Sequence, residues 1–309
     1  YPDYYIEEPA QVAVISWDGY TETMLLSTSI EPYSLSEFAW IIPVQSDTIP
    51  VVLEGDPEVI GTIRDFFYET QEPRNWEFTV SAATGDRVQG IQLVEAKKIG
   101  IYDIMIVQAD NPGRLVAWLQ NEGYDVDQSI IPILREYVGD EHYFIINRVN
   151  LLNEYASEIS AIRQKYVDFL ELPVYDQHDI ILEFEATDFM QGRDYSSMAE
   201  IYENAMEGGV ATPLLITFTP EQAMFPMQIS SMNQGYTDVE VYLVSNDPDA
   251  NDENGLLRKV KGPLSITSEL REDIGDSFNL DGYSLITKFE WSGSLASLDE
   301  DAVFEINTE

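Results

Sequence analysis

The chain has 309 residues, 44% of them hydrophobic and 12% aromatic, which excludes intrinsic disorder and allows a sizeable core. Against 16 Lys and Arg stand 56 Asp and Glu; the resulting charge of −40 repels phosphate backbones and leaves nucleic acid a poor partner. Cysteine is absent, so disulfides, thiol catalysis and thiolate metal sites are excluded together.

In chain order, residues 1–6 carry Tyr1, Tyr4, Tyr5 and Ile6 around an early proline and read as an extended aromatic arm. Residues 11–17 and 23–28 are expected strands, joined through the hairpin dipeptide Asp18-Gly19. Residues 38–44 form a third strand, apolar on both faces, with Pro43 pointing to an edge or a bulge. Asp56-Pro57 opens a helix that sets Ile60, Ile63, Phe66 and Phe67 on one face. Strands follow at residues 92–96 and 102–107.

A strand–helix–helix–strand module comes next. Asn111-Pro112 starts a helix whose Leu115, Trp118 and Leu119 share a face, and Gly123 stops it. Ser129 caps a second helix carrying Ile130, Ile133, Leu134, Tyr137 and Val138, and residues 143–149 return as a strand. Leu115, Trp118 and Leu119 are expected to pack against a sheet containing Ile104 and Ile145. Residues 153–209 read as helical around a short strand at 180–184. The C-terminal third is β-rich, with strands at 214–218, 227–230, 239–244 and 285–291; Pro213 and Pro226 suggest edges. The expected fold class is therefore α+β, with mixed β-sheet lobes, the strand–helix–helix–strand module and a helical insertion. Its divisions are an N-terminal α+β lobe (1–152), a helical insertion or connection (153–209) and a C-terminal β-rich lobe (210–309). No run approaches the roughly 18 apolar residues of a membrane span.

Candidate chemistry is sparse. His142 and His178 sit beside carboxylates without a serine elbow, and Gly-rich phosphate loops are missing. The densest acidic cluster places Asp247, Asp249, Asn251 and Asp252 after a strand. The first three match the spacing of hard oxygen ligands in a calcium loop, so calcium is the cofactor such a loop would take. Asp252 stands where that loop needs glycine and Arg258 where it needs glutamate, so a solvated turn is the competing reading.

Several segments together resemble the uncharacterised secreted family known as domain of unknown function 2330. They are Glu8-Pro9-Ala10-Gln11-Val12-Ala13-Val14-Ile15 with Trp17-Asp18-Gly19, Ala39-Trp40-Ile41-Ile42-Pro43-Val44, Lys98-Ile99-Gly100-Ile101-Tyr102-Asp103 and residues 115–124. Residues 213–218 and 225–230 also fit, so the resemblance spans about 8–245. It implies export in bacteria or archaea and carries no catalytic residues across. A start at Tyr1 rather than methionine agrees with removal of a secretory signal. The expected function is that of a non-enzymatic extracytoplasmic or cell-surface protein acting through its surfaces, a self-assembling subunit of an envelope layer or filament. The expected partner is a second copy of the chain, in a homo-oligomer or polymer. The alternative is a secreted hydrolase using an acidic-residue site.

Overall fold

The computed structural model describes residues 10–28, 38–68, 81–83, 90–99, 102–124, 126–149, 213–233, 235–278, 280 and 283–307. The aromatic arm and the helical stretch 153–209 lie outside the described residues.

Described strands are β1 (Ala10–Trp17), β2 (Glu22–Thr28), β3 (Phe38–Gln45), β4 (Val51–Glu54), β5 (Ser81–Ala83), β6 (Ile91–Ile99), β7 (Tyr102–Ala109) and β8 (His142–Val149). The C-terminal part adds β9 (Leu214–Phe218), β10 (Met224–Phe225), β11 (Tyr236–Ser245), β12 (Asn251–Asp252), β13 (Arg258–Ser265), β14 (Leu285–Ser294) and β15 (Ala302–Glu305). Described helices are α1 (Pro57–Tyr68), α2 (Pro112–Asn121), α3 (Ile131–Leu134) and α4 (Ser268–Ile274). The fold is α+β.

Seven strands form a mixed sheet in the order β13-β14-β11-β1-β2-β9-β4, and five form an antiparallel sheet in the order β3-β8-β7-β6-β5. A small sheet, β10-β15-β12, completes the set. The large sheet takes β1, β2 and β4 from the stretch 1–152 and β9, β11, β13 and β14 from the stretch 210–309, so both stretches share one core. Their junction is the parallel pairing of β1 with β11, from Ala10 opposite Asp238 to Ser16 opposite Val244.

Period-two alternation explains the layering. In β8, Tyr143 and Ile145 join the core shared by both sheets, while Phe144 and Ile146 join a second core on the opposite face. That second core is closed by α2 and α3 through Leu115, Trp118, Leu119 and Leu134. On the far side of the large sheet, α1 and α4 cover Val14, Leu25, Tyr242 and Ile286 with Ile63, Phe67, Leu270 and Ile274. The order is helices, sheet, sheet, helices, and each strand between them needs apolar residues on both faces.

Local signals act as their chemistry requires. Asp18 accepts the N–H groups of Tyr20 and Thr21 at 2.9 and 2.7 Å, and Gly19 supplies φ +95° for the β1–β2 turn. Asn111 caps α2 by accepting the Arg114 N–H. The α2 stripe is buried as expected, with Trp118 8% exposed. Its partners are Val107, Phe144 and Ile146, because Ile104 and Ile145 point to the other face of the same sheet.

Several expectations are corrected. The second helix of the module divides into a 3-10 turn (Gln128–Ile130), α3 and a further 3-10 turn (Arg135–Tyr137), and its cap is Asp127, which accepts the Ser129 N–H. β9 is not an edge despite Pro213: it runs between β2 and β4, and Pro213 stands just outside the ladder, where its missing N–H costs nothing. Gln228–Met232 is a 3-10 helix rather than a strand. Strand β13 and helix α4 have no counterpart in the sequence reading.

Leu119 is fully buried beneath α2. Truncating it removes a side chain from a core that cannot collapse around the hole, so Leu119→Ala should cost about 2–5 kcal/mol in urea unfolding.

Candidate functional site

The most connected polar group lies where α1 crosses β11, β14 and β13. Period two puts Glu240 and Tyr242 on the helix-covered face of β11, and Lys288 and Glu290 on the same face of β14. Arg64 from α1 aims both Nε and Nη2 at Glu240 Oε2, each at 2.9 Å. The Lys288 ammonium lies 3.2 Å from Glu240 Oε1 and 2.7 Å from Glu290 Oε1, and 5.7 Å from the centre of the Tyr242 ring. Arg258 of β13 reaches Glu290 Oε2 at 3.0 Å, and the Tyr242 hydroxyl donates to Glu240 Oε2 at 3.2 Å.

Only 2% of the Lys288 side chain is exposed, so its charge is held by two carboxylates rather than by water. Burial pulls the Glu240 carboxyl upward, yet the Arg64 and Lys288 charges outweigh it and hold it below the usual carboxylate range. Burial, with the Glu240 charge beside it, pushes the Tyr242 phenol up to about 12. Both ends of the network are therefore locked in their ordinary charge states. A general acid needs the opposite tuning, a carboxyl raised toward neutrality.

β13 continues this site to the surface. The side chains of Arg258, Lys259 and Lys261 are exposed, as is Val260. Lys261 donates to the Phe67 carbonyl at 2.6 Å, supplying the cation that the last turn of α1 lacks. Lys259 donates to the Ala250 carbonyl at 2.9 Å. Each lysine thus spends one N–H on a neutral carbonyl, and its charge is not cancelled by a carboxylate ion pair among the described residues. Gly262 follows at φ +111°, where a Cβ would stand 2.8 Å from the Ile286 carbonyl oxygen, so the bulged strand can lie against β14 only with glycine there.

The acidic loop takes a different course. Asp247 Oδ1 accepts the Asp249 N–H at 2.9 Å, while Oδ2 accepts the Asn307 N–H at 2.8 Å and its side-chain amide at 3.1 Å. Those donors, the Asn307 N–H foremost, keep the Asp247 carboxyl low. Asn251 and Asp252 form β12, so neighbouring side chains part: Asn251 is exposed, and Asp252 is buried with Oδ2 on the Leu257 N–H at 2.6 Å. Asp249 is exposed. The carboxylates of Asp247 and Asp252 fasten Asn307 and the loop exit at Leu257, and among the described residues no three His, Asp or Glu groups gather to hold a metal ion.

Two further acids, Asp301 half-buried and Glu22 buried, went unremarked in the sequence. Asp301 accepts the Tyr137 hydroxyl at 2.7 Å and the Gln228 N–H at 2.8 Å, tying the α3 layer to the small sheet. Glu22 is wholly buried, with Oε2 on the Met224 N–H at 2.9 Å and Oε1 without a partner. Alternation with Met24 and Leu26 already placed Glu22 on the inner face, and alternation in β14 likewise paired Lys288 with Glu290. The Asp301 position carries no such signal among 56 acids. A cleft of about 290 Å³ lies between Gly90, Gln92, Gln108, Asp110 and Asp140, at the outer end of β6 and β7. His142 starts β8, its imidazole held low by burial against the opposing Glu141 charge.

These features describe a layered α+β protein whose buried ions hold its layers together and whose exposed cations line one strand. The chain belongs to the family described as uncharacterized protein conserved in bacteria (DUF2330), whose profile matches residues 1–168, more than half of the chain. No curated protein matches the chain. Among solved structures, the crystal structure of baculovirus P35 is similar over 97% of this chain and 97% of its own, at 9% identity and a TM-score of 0.40. A likeness of that size says nothing further about either molecule.

Two measurements check the buried charges. Glu240→Gln leaves Lys288 and Arg64 short of an anion and should cost about 2 kcal/mol at neutral pH, below the full buried-pair value because Glu240 is partly exposed. A depressed carboxyl gives stability above its unfolded value that is lost as pH falls through the folded one, so the cost should vanish in acid. Glu22 behaves oppositely, because burial raises its carboxyl well above 4.5 while the Met224 N–H offsets only part of this. Above that pH the unfolded chain ionises first and the native state loses stability as pH rises. Glu22→Gln should therefore melt above the wild type at pH 8, and the gap should close toward pH 4. An equal gap at both ends of a calorimetric series would contradict this account of Glu22.

Proposed function

We propose that this chain is a non-enzymatic extracytoplasmic protein of bacteria that acts through contact surfaces, as a structural subunit of an envelope layer or filament. The observation that supports this reading most is the exposed basic strand β13 on a molecule of charge −40, its two lysines hydrogen-bonded to neutral carbonyls and in no carboxylate ion pair among the described residues. Such a strip attracts acidic protein surface, of which this chain has ample. The buried charges favour the same reading over a hydrolase: Glu240 and Glu290 face each other, but across an ammonium and with guanidinium groups behind them.

A charge of −40 per copy opposes close approach, so association should strengthen as salt or calcium screens it. Calcium enters this proposal as a bridging ion between acidic surfaces.

Fractionation of the producing bacteria, followed by sedimentation of the purified protein from 10 to 500 mM salt, tests the reading; those concentrations span Debye lengths from about 30 Å to below 8 Å. The expected result is protein in the envelope or medium whose mean mass rises with salt and with calcium. Cytoplasmic protein that stays monomeric throughout, or hydrolysis of a glycoside or ester abolished by changing one acidic residue, would overturn it.

A further inference from the structure

Among the described residues the large sheet ends in two strands, β13 at one side and β4 at the other. Both present exposed apolar side chains, which is unusual for an edge open to water. On β4, Val51 is 50% and Leu53 48% exposed, and Ile49 just before it is 52% exposed. On β13, Val260 is 40% exposed.

Among the described residues, nothing pairs with the outer main chain of β4 either. Gly55 donates to the Pro213 carbonyl at 2.7 Å, which makes 55 opposite 213 a hydrogen-bonded pair. Antiparallel ladders alternate, so Leu53 and Val51 also bond toward β9, and Val52 and Glu54 turn N–H and C=O to the free side.

Charge completes the match. Asp47, Glu54 and Asp56 flank the apolar centre of the β4 edge, and Arg258, Lys259 and Lys261 flank Val260 on the β13 edge. One edge is apolar with acids around it; the other is apolar with bases around it. Two β4 edges brought together would set acid against acid, and two β13 edges base against base. Only unlike edges are complementary.

We propose that the large sheets of successive copies join head to tail, β4 of one copy adding to β13 of the next. This rests on the surface-acting reading above and names its partner, a second copy of the chain. The contact is heterologous, so repetition gives an open filament or a closed ring. With two outward-facing residues on β4, each junction is short and weak alone, and assembly gains by repetition.

The experiment blocks each edge separately. Val51→Lys with Leu53→Lys puts cations on the β4 edge; Val260→Glu puts an acid among the β13 bases. Both sites are exposed, and circular dichroism with thermal melting verifies that the variants fold. In light scattering at 200 mM salt, chosen for a Debye length below about 8 Å, the wild type should grow with concentration. Each blocked variant should stay monomeric alone. Mixed in equal amounts, the two should form a dimer and stop there, because each retains the one edge the other lacks. Glu54→Pro, which removes one outward N–H at a position where an edge tolerates proline, should also reduce assembly. If wild type assembles and both blocked variants assemble equally well, the edge contact is wrong while the surface-acting reading stands. If folded variants stay monomeric alone and in the mixture while wild type assembles, head-to-tail pairing is wrong. If wild type never assembles, the self-association behind both proposals falls.

Discussion

The parallel pairing of β1 with β11 brings together residues more than two hundred positions apart, and nearly everything else in the structure is arranged around it. On one side of this pair β2, β9 and β4 extend the sheet, and on the other β14 and β13 do. Parallel strands cannot be joined by a tight turn, so the chain between them has to leave the sheet and return. Part of that excursion builds the second sheet, whose inner face then covers the first. Ile15, Met24 and Val241 meet Ile42, Ile104 and Ile145 in one core, and neither inner face would be dry without the other.

Buried charge in this molecule is placed where layers meet. Lys288 joins two strands of the large sheet, and Arg64 brings the covering helix onto the same carboxylate. Asp301 ties the outer helical layer of the second sheet to the small sheet. Glu22 sits among the inner apolar side chains with one oxygen unsatisfied, a cost that the surrounding packing must offset. Most other acids among the described residues are exposed, Asp247 and Asp252 being buried. Against that background Lys259 and Lys261 of β13 stand out because each donates to a carbonyl, which satisfies a hydrogen bond without cancelling a charge.

Much of the local architecture was legible in the sequence, for reasons that can be named. Asp18-Gly19 specifies a turn by side-chain acceptance and positive φ, and Asn111-Pro112 specifies a helix start by capping and a pre-set φ. The stripe Leu115, Trp118 and Leu119 has one apolar face and could only lie on a sheet. Less legible was anything that depends on a distant neighbour. Pro213 reads as an edge signal, but it marks only the end of β9, which is flanked on both sides by strands from the N-terminal third. Met227 to Ser230 has a strand's composition, yet its main chain turns to meet Asp301 and closes into a 3-10 helix. The calcium spacing of Asp247, Asp249 and Asn251 was visible, whereas the engagement of Asp247 by Asn307, sixty residues later, was not.

By itself the sequence determined an α+β protein with a large core, a strongly acidic surface, a β1–β2 hairpin and a strand–helix–helix–strand unit. These follow from composition, from the periods of the apolar residues and from turn and capping chemistry, all of which act within a few residues. The tertiary structure alone decided which strands are edges, which carboxylates are buried and that strands from the stretches 1–152 and 210–309 share one sheet. Those outcomes depend on pairing between strands far apart in sequence, where many registers satisfy the same alternation and only the simultaneous burial of both sheet faces selects one.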